Sequence, residues 1–495
     1  MSITLPENID SLDQKIQNRL EKCKAGILCP DTLKEQAIAL RKSVGWSRDC
    51  GLLISAGHQP VLYHPGLMIK DVLADALARR YNGVAYNIVL DTDEVDLEFT
   101  YPSLMDLDYS STIAGTSRWP VQKRTVRYGN SSRIVGSLEL TERDRQALLK
   151  ACDEACRGLH LVLEPGTRAA TRKMIQEYRN ALMKSNSILD PSTELRRLAH
   201  ERLGLQIRDV RASTLFDSEA FLYFASFIAE RCDEFRNRYN AELMRYRLER
   251  KIKNQAQPLP DLDEASGELP FWYIEDGIRE PLQDEGFKKA IQSVRAGRGS
   301  IYPRAVTTSL FFRLFFCDLF IHGTGGGRYD RITENLISDF FQCDAAPFLV
   351  TTASLSMEPR ADLPVASRSV SEVELELREL RFDPARFLSR DCKLSQQRDE
   401  IIQQWHEARS RGWQRSDLNQ DFIKLRRKAG LYLKDKRKSL EKELHRALYV
   451  ERARRIYGDR SYPIFFYDLM PLKDSVKHIS EPSSKKVQVA GSGTG

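Results

Sequence analysis

Two short segments of this chain concentrate the side chains able to do chemistry. The first, Gly57-His58-Gln59-Pro60-Val61-Leu62-Tyr63-His64-Pro65-Gly66, holds two histidines, neither at an obvious core-facing helical position. As neutral imidazoles they can move a proton; as imidazolium they can offset developing phosphate charge. The second, Asp91-Thr92-Asp93-Glu94-Val95-Asp96, places four carboxylates within six positions. Such a loop can bind an amine, coordinate Mg2+ or supply a general base. Each segment also has a plainer reading: histidines bonded to their own loop backbone, and a solvated acidic turn. Lys70, on the helix after the first segment, is either an anion contact or an exposed lysine.

A third segment, Gly323-Thr324-Gly325-Gly326-Gly327, is followed by Arg328. Glycines let backbone amides approach a ligand closely, a helix N-terminus favours an anion, and Arg328 adds a cation, a combination that suits phosphate or carboxylate. Neither a Gly-x-Gly-x-x-Gly register nor a Gly-Lys-Ser/Thr ending is present. The alternative is a tight strand-to-helix turn whose glycines need positive φ, with Asp330 favouring the helix start.

The elements that must position these segments can be read from the apolar pattern. Residues 52–56 form a buried strand, residues 67–81 put Ile69, Val72, Leu73, Ala76 and Leu77 on one helical face, and 84–90 is a second apolar run. Strand, loop, helix, strand and acidic loop make a βαβ crossover. Residues 303–353 repeat the plan: helix 307–316, strand 317–322, the glycine segment, a helix over 328–341 with Ile332, Leu336, Ile337 and Phe340 inward, and strand 347–350. Parallel strands buried on both faces are continuous apolar runs, and such sheets gather ligands at their carboxyl ends. Both polar loops of the first unit leave from those ends.

Elsewhere, short β-like runs cover 124–128 and 134–138, and Thr141 with Asp144 caps a helix running to about residue 157. Residues 169–252 read as helical and charged, 255–268 as a loop, and Asp276-Gly277 as a two-residue hairpin turn. Residues 371–456 suggest long packed helices or a helical hairpin, with turns near Pro384 and Gly412 and heptads too irregular to define a coiled coil.

The composition sets the outer bounds. With 495 residues, 41% of them hydrophobic, the chain can build at least two cores. No segment reaches the roughly 18 uninterrupted apolar residues of a membrane span, and the N-terminus lacks a basic region followed by an apolar stretch, so a cytoplasmic protein without membrane contact is expected. Nine cysteines, an odd number and scattered, predict reduced thiols. No metal-ligand spacing is present, so no dedicated metal site is expected. The net charge of +7 is uneven: residues 407–460 carry 17 Lys and Arg against 8 Asp and Glu, a balance of +9. Such a surface can recruit nucleic acid or acidic ligands, although the interleaved carboxylates and sparse aromatics weigh against nucleic acid.

Residues 55–70 resemble the Gly-Gln-Gln loop and following helix of the cysteine ligases of bacillithiol biosynthesis, the BshC family, with Gly57-His58-Gln59 at the start. Thr92-Asp93-Glu94-Val95-Asp96-Leu97-Glu98 is similar to that family's acidic Glu-Asp-His-Asp segment. Pro303-Arg304-Ala305 through Gly327 resembles its later strand and Gly-Gly-Pro-Gly loop. The similarity touches residues 50–110, 300–355 and, loosely, the helical C-terminal region. Val95 replaces the acidic segment's histidine, His58 stands where glutamine is usual, and His64-Pro65-Gly66 replaces a Thr-Gly-Pro pattern. His64-Pro65-Gly66-Leu67 also resembles a His-x-Gly-His signature whose imidazole contacts ATP phosphates, with Leu67 in its last position. The resemblance implies an α/β fold with a Rossmann-like parallel-sheet core related to class I nucleotidyltransferases and synthetases, a helical insertion, and a C-terminal helical hairpin or coiled-coil-like region. The implied reaction joins cysteine to an amino-sugar conjugate.

These readings predict an N-terminal helical layer (1–48), two halves of the core (49–140 and 269–370), a mainly helical insertion (141–268), the C-terminal helices (371–480) and a disordered tail (481–495). They point to a C–N bond-forming ligase that condenses an amino acid with an amine. His58, His64, Lys70 and Arg328 would stabilise phosphate, and Asp93, Glu94 or Asp96 would bind and deprotonate the amine. Gly57, Gln59, Asp91, Arg304, Gly323, Gly325, Gly326 and Gly327 would complete the substrate or nucleotide site. ATP or another nucleotide, with Mg2+, is the cofactor such a reaction would use. The partners are small-molecule substrates and, through the helical region, a second copy of the chain. The rival reading is a catalytically inactive scaffold whose basic helices contact nucleic acid or protein.

Overall fold

The computed structural model describes residues 2–5, 12–16, 18, 31–47, 50–104, 121–129, 132–254, 259–357 and 366–480. Five parallel strands form the central sheet: β1 (Leu53–His58), β2 (Val84–Val89), β3 (Ile207–Arg211), β4 (Leu319–His322) and β5 (Phe348–Val350). Their spatial order is β5-β4-β1-β2-β3, and each neighbouring pair is parallel. The apolar runs follow from this, because a parallel sheet is covered on both faces. Ile54 and Ala56 of β1 join Leu319 and Ile321 of β4 in one core, while Leu53, Tyr86, Ile88 and Phe320 enter the other.

The crossovers supply the two covers. The Pro65–Arg80 helix joins β1 to β2 and packs Met68, Ile69, Val72 and Leu73 into the first core. Residues 65–78 of this helix are all buried, so Lys70, Asp71 and Asp75 must find partners inside. Helices Glu142–Val162, Pro165–Lys184 and Asp190–Leu203 join the same core before β3. Helices Glu219–Ala229 and Cys232–Arg250, after β3, and Asp330–Asp339, between β4 and β5, build the second core instead. The winding therefore reverses between β1 and β4, and such a reversal leaves a crevice outside the carboxyl ends of the strands.

Several expectations change here. Residues 141–268 are not a self-contained insertion, because β3 within them is a strand of the central sheet and the chain passes through it from one face to the other. The N-terminal layer includes a strand, Ser2–Thr4, paired antiparallel with Thr352–Ser354. Residues 134–138 form a 3-10 turn, Val135–Ser137, instead of a strand. The Asp276-Gly277 turn forms with φ of 50° and 76°, the left-handed pair that a two-residue hairpin favours. Its strands, Glu268–Glu275 and Ile278–Gln283, are joined by Ser300–Pro303 in a three-stranded antiparallel sheet.

The C-terminal region contains four long helices, Val370–Phe382, Lys393–Ser410, Ser416–Tyr432 and Lys434–Gly458. The chain then returns to the first core with Tyr462, Ile464, Phe465 and Phe466. The predicted tail, 481–495, lies outside the described residues. No helix among the described residues is long and apolar enough to cross a membrane. Cys152, Cys156, Cys232 and Cys392 are free thiols.

One buried ion pair ties two helices together in the second half. The helix Ala305–Phe311 widens into a π-helical turn over Phe312–Phe316, where Arg313 is fully buried. Its guanidinium donates to the Asp330 carboxylate, to Glu334 at 3.0 Å and to the Ala346 carbonyl at 2.7 Å. Removing one member of such a pair strands the other charge. Arg313→Ala is expected to destabilise the fold by about 3 to 5 kcal/mol, read from the main transition in urea unfolding. A change below about 1 kcal/mol would show that the pair is dispensable.

Candidate functional site

The register across the strands brings the loop-bearing ends together. Ala56 lies opposite Ile321 between β1 and β4, and Gly57 and His58 lie opposite Ile88 and Val89 between β1 and β2. The segments after β1, β2 and β4 therefore leave side by side from one edge of the sheet. Gly57 sits in a tight place, since a Cβ there would stand 3.2 Å from the Ile88 carbonyl.

The two histidines of the first loop hold opposite tautomers. His58 Nδ1 lies 3.2 Å from the Gln59 carbonyl, which can only accept, so Nδ1 carries the proton and Nε2 the lone pair. His64 caps the Pro65–Arg80 helix: its Nδ1 accepts from the Gly66 amide at 3.1 Å, which leaves the proton on Nε2. Burial, reinforced by the charge of Lys70, pushes His58 down to about 3. Burial, then the charges of Arg460 and Lys70, push His64 down to about 4. Neither is an imidazolium near neutral pH, so the expected role of countering phosphate charge gives way to hydrogen bonding through a lone pair and an N–H.

Lys70 points inward. It is 2% exposed, and its Nζ donates to the Gly57 carbonyl at 2.6 Å. Burial lowers its pKa to about 8 against the pull of Asp71. Its side chain is not exposed, as one expectation had it, because residues 65–78 of its helix are all covered.

The acidic loop divides by role. Asp91 is buried and accepts from the Ser213 amide at 2.9 Å and the Ser213 hydroxyl at 2.7 Å, while its carbonyl accepts from Gly136. Its carboxylate is therefore committed to joining the end of β2 to the short helix Ala212–Phe216 after β3. Asp93 Oδ2 accepts from the Gln59 carboxamide at 3.1 Å, and Oδ1 lies 3.8 Å from Arg279. Arg279 also donates to Glu94 at 2.9 Å. Asp93 keeps 39% of its side-chain surface accessible, yet the protein around it is dense enough that burial raises its carboxyl above the usual range, despite Gln59 and Arg279. Asp96 is exposed.

The glycine segment is built differently from a left-handed turn. None of Gly323, Gly325, Gly326 and Gly327 has positive φ. Gly326 and Gly327 are needed for packing, as a Cβ would meet His322 Nδ1 at 2.7 Å and Val350 Cγ2 at 2.3 Å. Gly323 and Gly325 face open space, with nothing within 4 Å of a Cβ. Arg328 lines a cleft of about 810 Å3 with Lys15, Arg250 and Arg331, whose walls include neither His58 nor Asp93. Beneath the segment, His322 Nε2 lies 3.3 Å from Asp330 Oδ2. Burial would raise the Asp330 carboxyl, but the adjoining His322 and Arg313 hold it below the ordinary value.

His58, Gln59, Asp93 and, through Arg279, Glu94 thus come together, with Gly323 one strand away. His64, Lys70 and Asp91 serve the framework. Arg304 is separate: it pairs with Glu268 and covers the Trp272 ring at 4.1 Å, the same ring that Arg279 approaches at 5.1 Å. Sequence reasoning missed Arg279, the His322-Asp330-Arg313 group, and a polar chain behind the loop. In that chain Tyr63 donates to Asn87 at 3.1 Å, Asn87 to Asp209 at 3.0 Å, and Arg196 to Asp209 at 2.7 Å. The one available signal was Asn87, a polar residue inside an apolar run. Among the described residues no group of three His, Cys, Asp or Glu is placed to hold a metal ion. No protein-family model and no curated protein matches this chain.

Both loop histidines are depressed from 6.5, so as pH falls below that value the unfolded chain takes up protons before the folded one does. Their contribution is fully present above 6.5 and declines by up to about 1.4 kcal/mol per pH unit for each histidine on acidification. His64→Asn keeps a capping oxygen and removes one titrating group. Urea unfolding between pH 6.5 and about 4 should show a shallower loss of stability in the variant. Equal slopes would mean that His64 titrates as it does in the unfolded chain.

Proposed function

We propose that this chain is a ligase of the cysteine-ligase type, condensing an amino acid with an amine at a Rossmann-like, nucleotide- or anion-binding site. The strand order carries the reading. Taken in chain order it is 3-2-1-4-5, that of doubly wound nucleotide-binding sheets, whose ligands lie where the winding reverses. Of the segments that resemble the BshC family, the one beginning at 57–59 leaves β1 and the one ending at 323–327 leaves β4, on the two sides of that reversal, and 92–98 follows β2 one strand further on. The link from fold to reaction is by analogy, and the residues supply the rest of the argument.

Amide formation requires a deprotonated amine, an activated carboxyl and a place for the displaced anion. Asp93, with its carboxyl raised and one oxygen held by Gln59, accepts the amine proton. His58 Nε2 offers a lone pair to an amine N–H beside it. The C–N bond forms at the carboxyl carbon, and the departing oxygen leaves with its electron pair. Gly323 and Gly325 have no conformational or packing need to be glycine, and they leave room for an anionic group against the backbone. A nucleotide with Mg2+ would supply a better leaving group, and these two residues are the ones that would hold its phosphates.

The test is incubation of the full chain with cysteine and an amino-sugar conjugate, with and without ATP and Mg2+, followed by mass spectrometry. The expected product has the summed mass less one water. Asp93→Asn should lower kcat by about a hundredfold to ten-thousandfold, whereas Arg304→Lys, outside the cluster, should change it little. Absence of product under every condition, together with no calorimetric binding of cysteine, ATP or pyrophosphate, would refute the ligase reading.

A further inference from the structure

The C-terminal helices leave apolar surface uncovered. Their own clusters are small, one centred on Val373, Leu380 and Leu440 and another on Ala385, Leu425 and Ala429. Phe382 and Leu431 remain 52% and 63% exposed, and Leu375, Ile423 and Tyr432 are open as well. Phe382 and Leu431 line a groove of about 1080 Å3 bordered by the helices Val370–Phe382, Ser416–Tyr432 and Lys434–Gly458. Leu377, Leu380 and Leu444 continue its apolar lining.

The charged part of the lining is six cations and one carboxylate, Glu441. Arg378, Arg381, Arg426, Arg427 and Lys434 border the groove, and none of the five forms an ion pair with a described residue. Arg437, also at the groove, shows the contrast, since it is paired with Glu441 at 2.8 Å. Five unanswered cations around an apolar floor raise the local potential and favour an occupant that brings carboxylates to the border and alkyl groups to the floor.

We propose that this groove docks an acidic amphipathic helix of a partner protein, with its apolar side chains seated between Phe382 and Leu431 and its carboxylates on the arginine border. A helix lying in a groove presents apolar anchors every third or fourth residue, which suits a leucine-lined trough. A second copy of this chain does not suit it, because that copy would bring the same cations to the contact. Single-stranded nucleic acid needs aromatic platforms for its bases, and among the described residues Phe382 is the only aromatic one lining the groove. This surface is independent of the ligase reading.

The test uses the full chain and a fluorescent designed peptide with leucines at helical spacing and glutamates elsewhere, followed by anisotropy. A peptide of the same composition with its leucines dispersed around the helix, and polyuridylate, serve as competitors. The amphipathic peptide should bind about tenfold more tightly than the dispersed one, and Leu431→Ser should remove most of that preference. Arg426→Glu combined with Arg427→Glu should weaken binding by about tenfold or more; all three sites border the groove, and circular dichroism melting should match that of the parent chain. Equal affinity for the two peptides, no binding of either, displacement by polyuridylate at lower concentration, or self-association abolished by Leu431→Ser would each overturn the proposal.

Discussion

The hydrogen bond from the buried ammonium of Lys70 to the Gly57 carbonyl, 2.6 Å long, fastens the first crossover helix to the end of β1. A buried cation is costly unless it is bonded and its charge is answered. Gly57 supplies the bond and Asp71 the charge, and Asp71 is in turn only 2.9 Å from His200. With its pKa near 8, Lys70 is still largely cationic at neutral pH. That charge, added to burial, helps keep His58 and His64 neutral. The end of β1 therefore carries a lone pair on His58 and an N–H on His64, both on half-buried rings.

Rigidity around Asp93 has a separate origin. Asp91 locks the start of the acidic loop onto Ser213, and Arg279 reaches across from the antiparallel hairpin to hold Glu94 and approach Asp93. The carboxylates that resemble one another in sequence are thus divided by environment. One is committed to the backbone of a neighbouring turn, one is paired, and Asp93 alone combines partial access with a raised carboxyl. Environment, more than residue type, sets which carboxylate can take a proton.

Local signals in the sequence were enough for β1, β2 and β4, whose apolar runs reflect burial on both faces, and for the hairpin at Asp276-Gly277. They failed for β3, because Ile-Arg-Asp-Val-Arg lies at the sheet edge and only Val210 within it is buried, so it blends into the charged helices around it. Lys70 was misplaced for the opposite reason: helical periodicity marks one apolar face, whereas this helix is covered on all sides by elements distant in sequence. Gly326 and Gly327 could not be told from Gly323 and Gly325, since what crowds them is His322 in one case and Val350 in the other. Arg279 pairs with Glu94 across 185 positions, and no spacing rule reaches that far.

The C-terminal helices belong to this same physical unit through their return to the sheet. Ala453, Ile456 and Tyr457, at the end of the Lys434–Gly458 helix, pack into the first core with Tyr462, Ile464, Phe465 and Phe466. The Ile464 amide donates to the Tyr63 carbonyl at 2.7 Å, within the loop that carries both histidines, and Arg460 is one of the charges that hold His64 neutral. Lys123, on the strand Val121–Tyr128, secures the junction through Asp459 at 2.6 Å. The loop after β1 is consequently braced from two directions, by Lys70 beneath it and by the returning C-terminal segment beside it. Its geometry is a property of the assembled chain, which is why a segment with two histidines and two prolines, looking like a free ligand loop in sequence, is a fixed part of the fold.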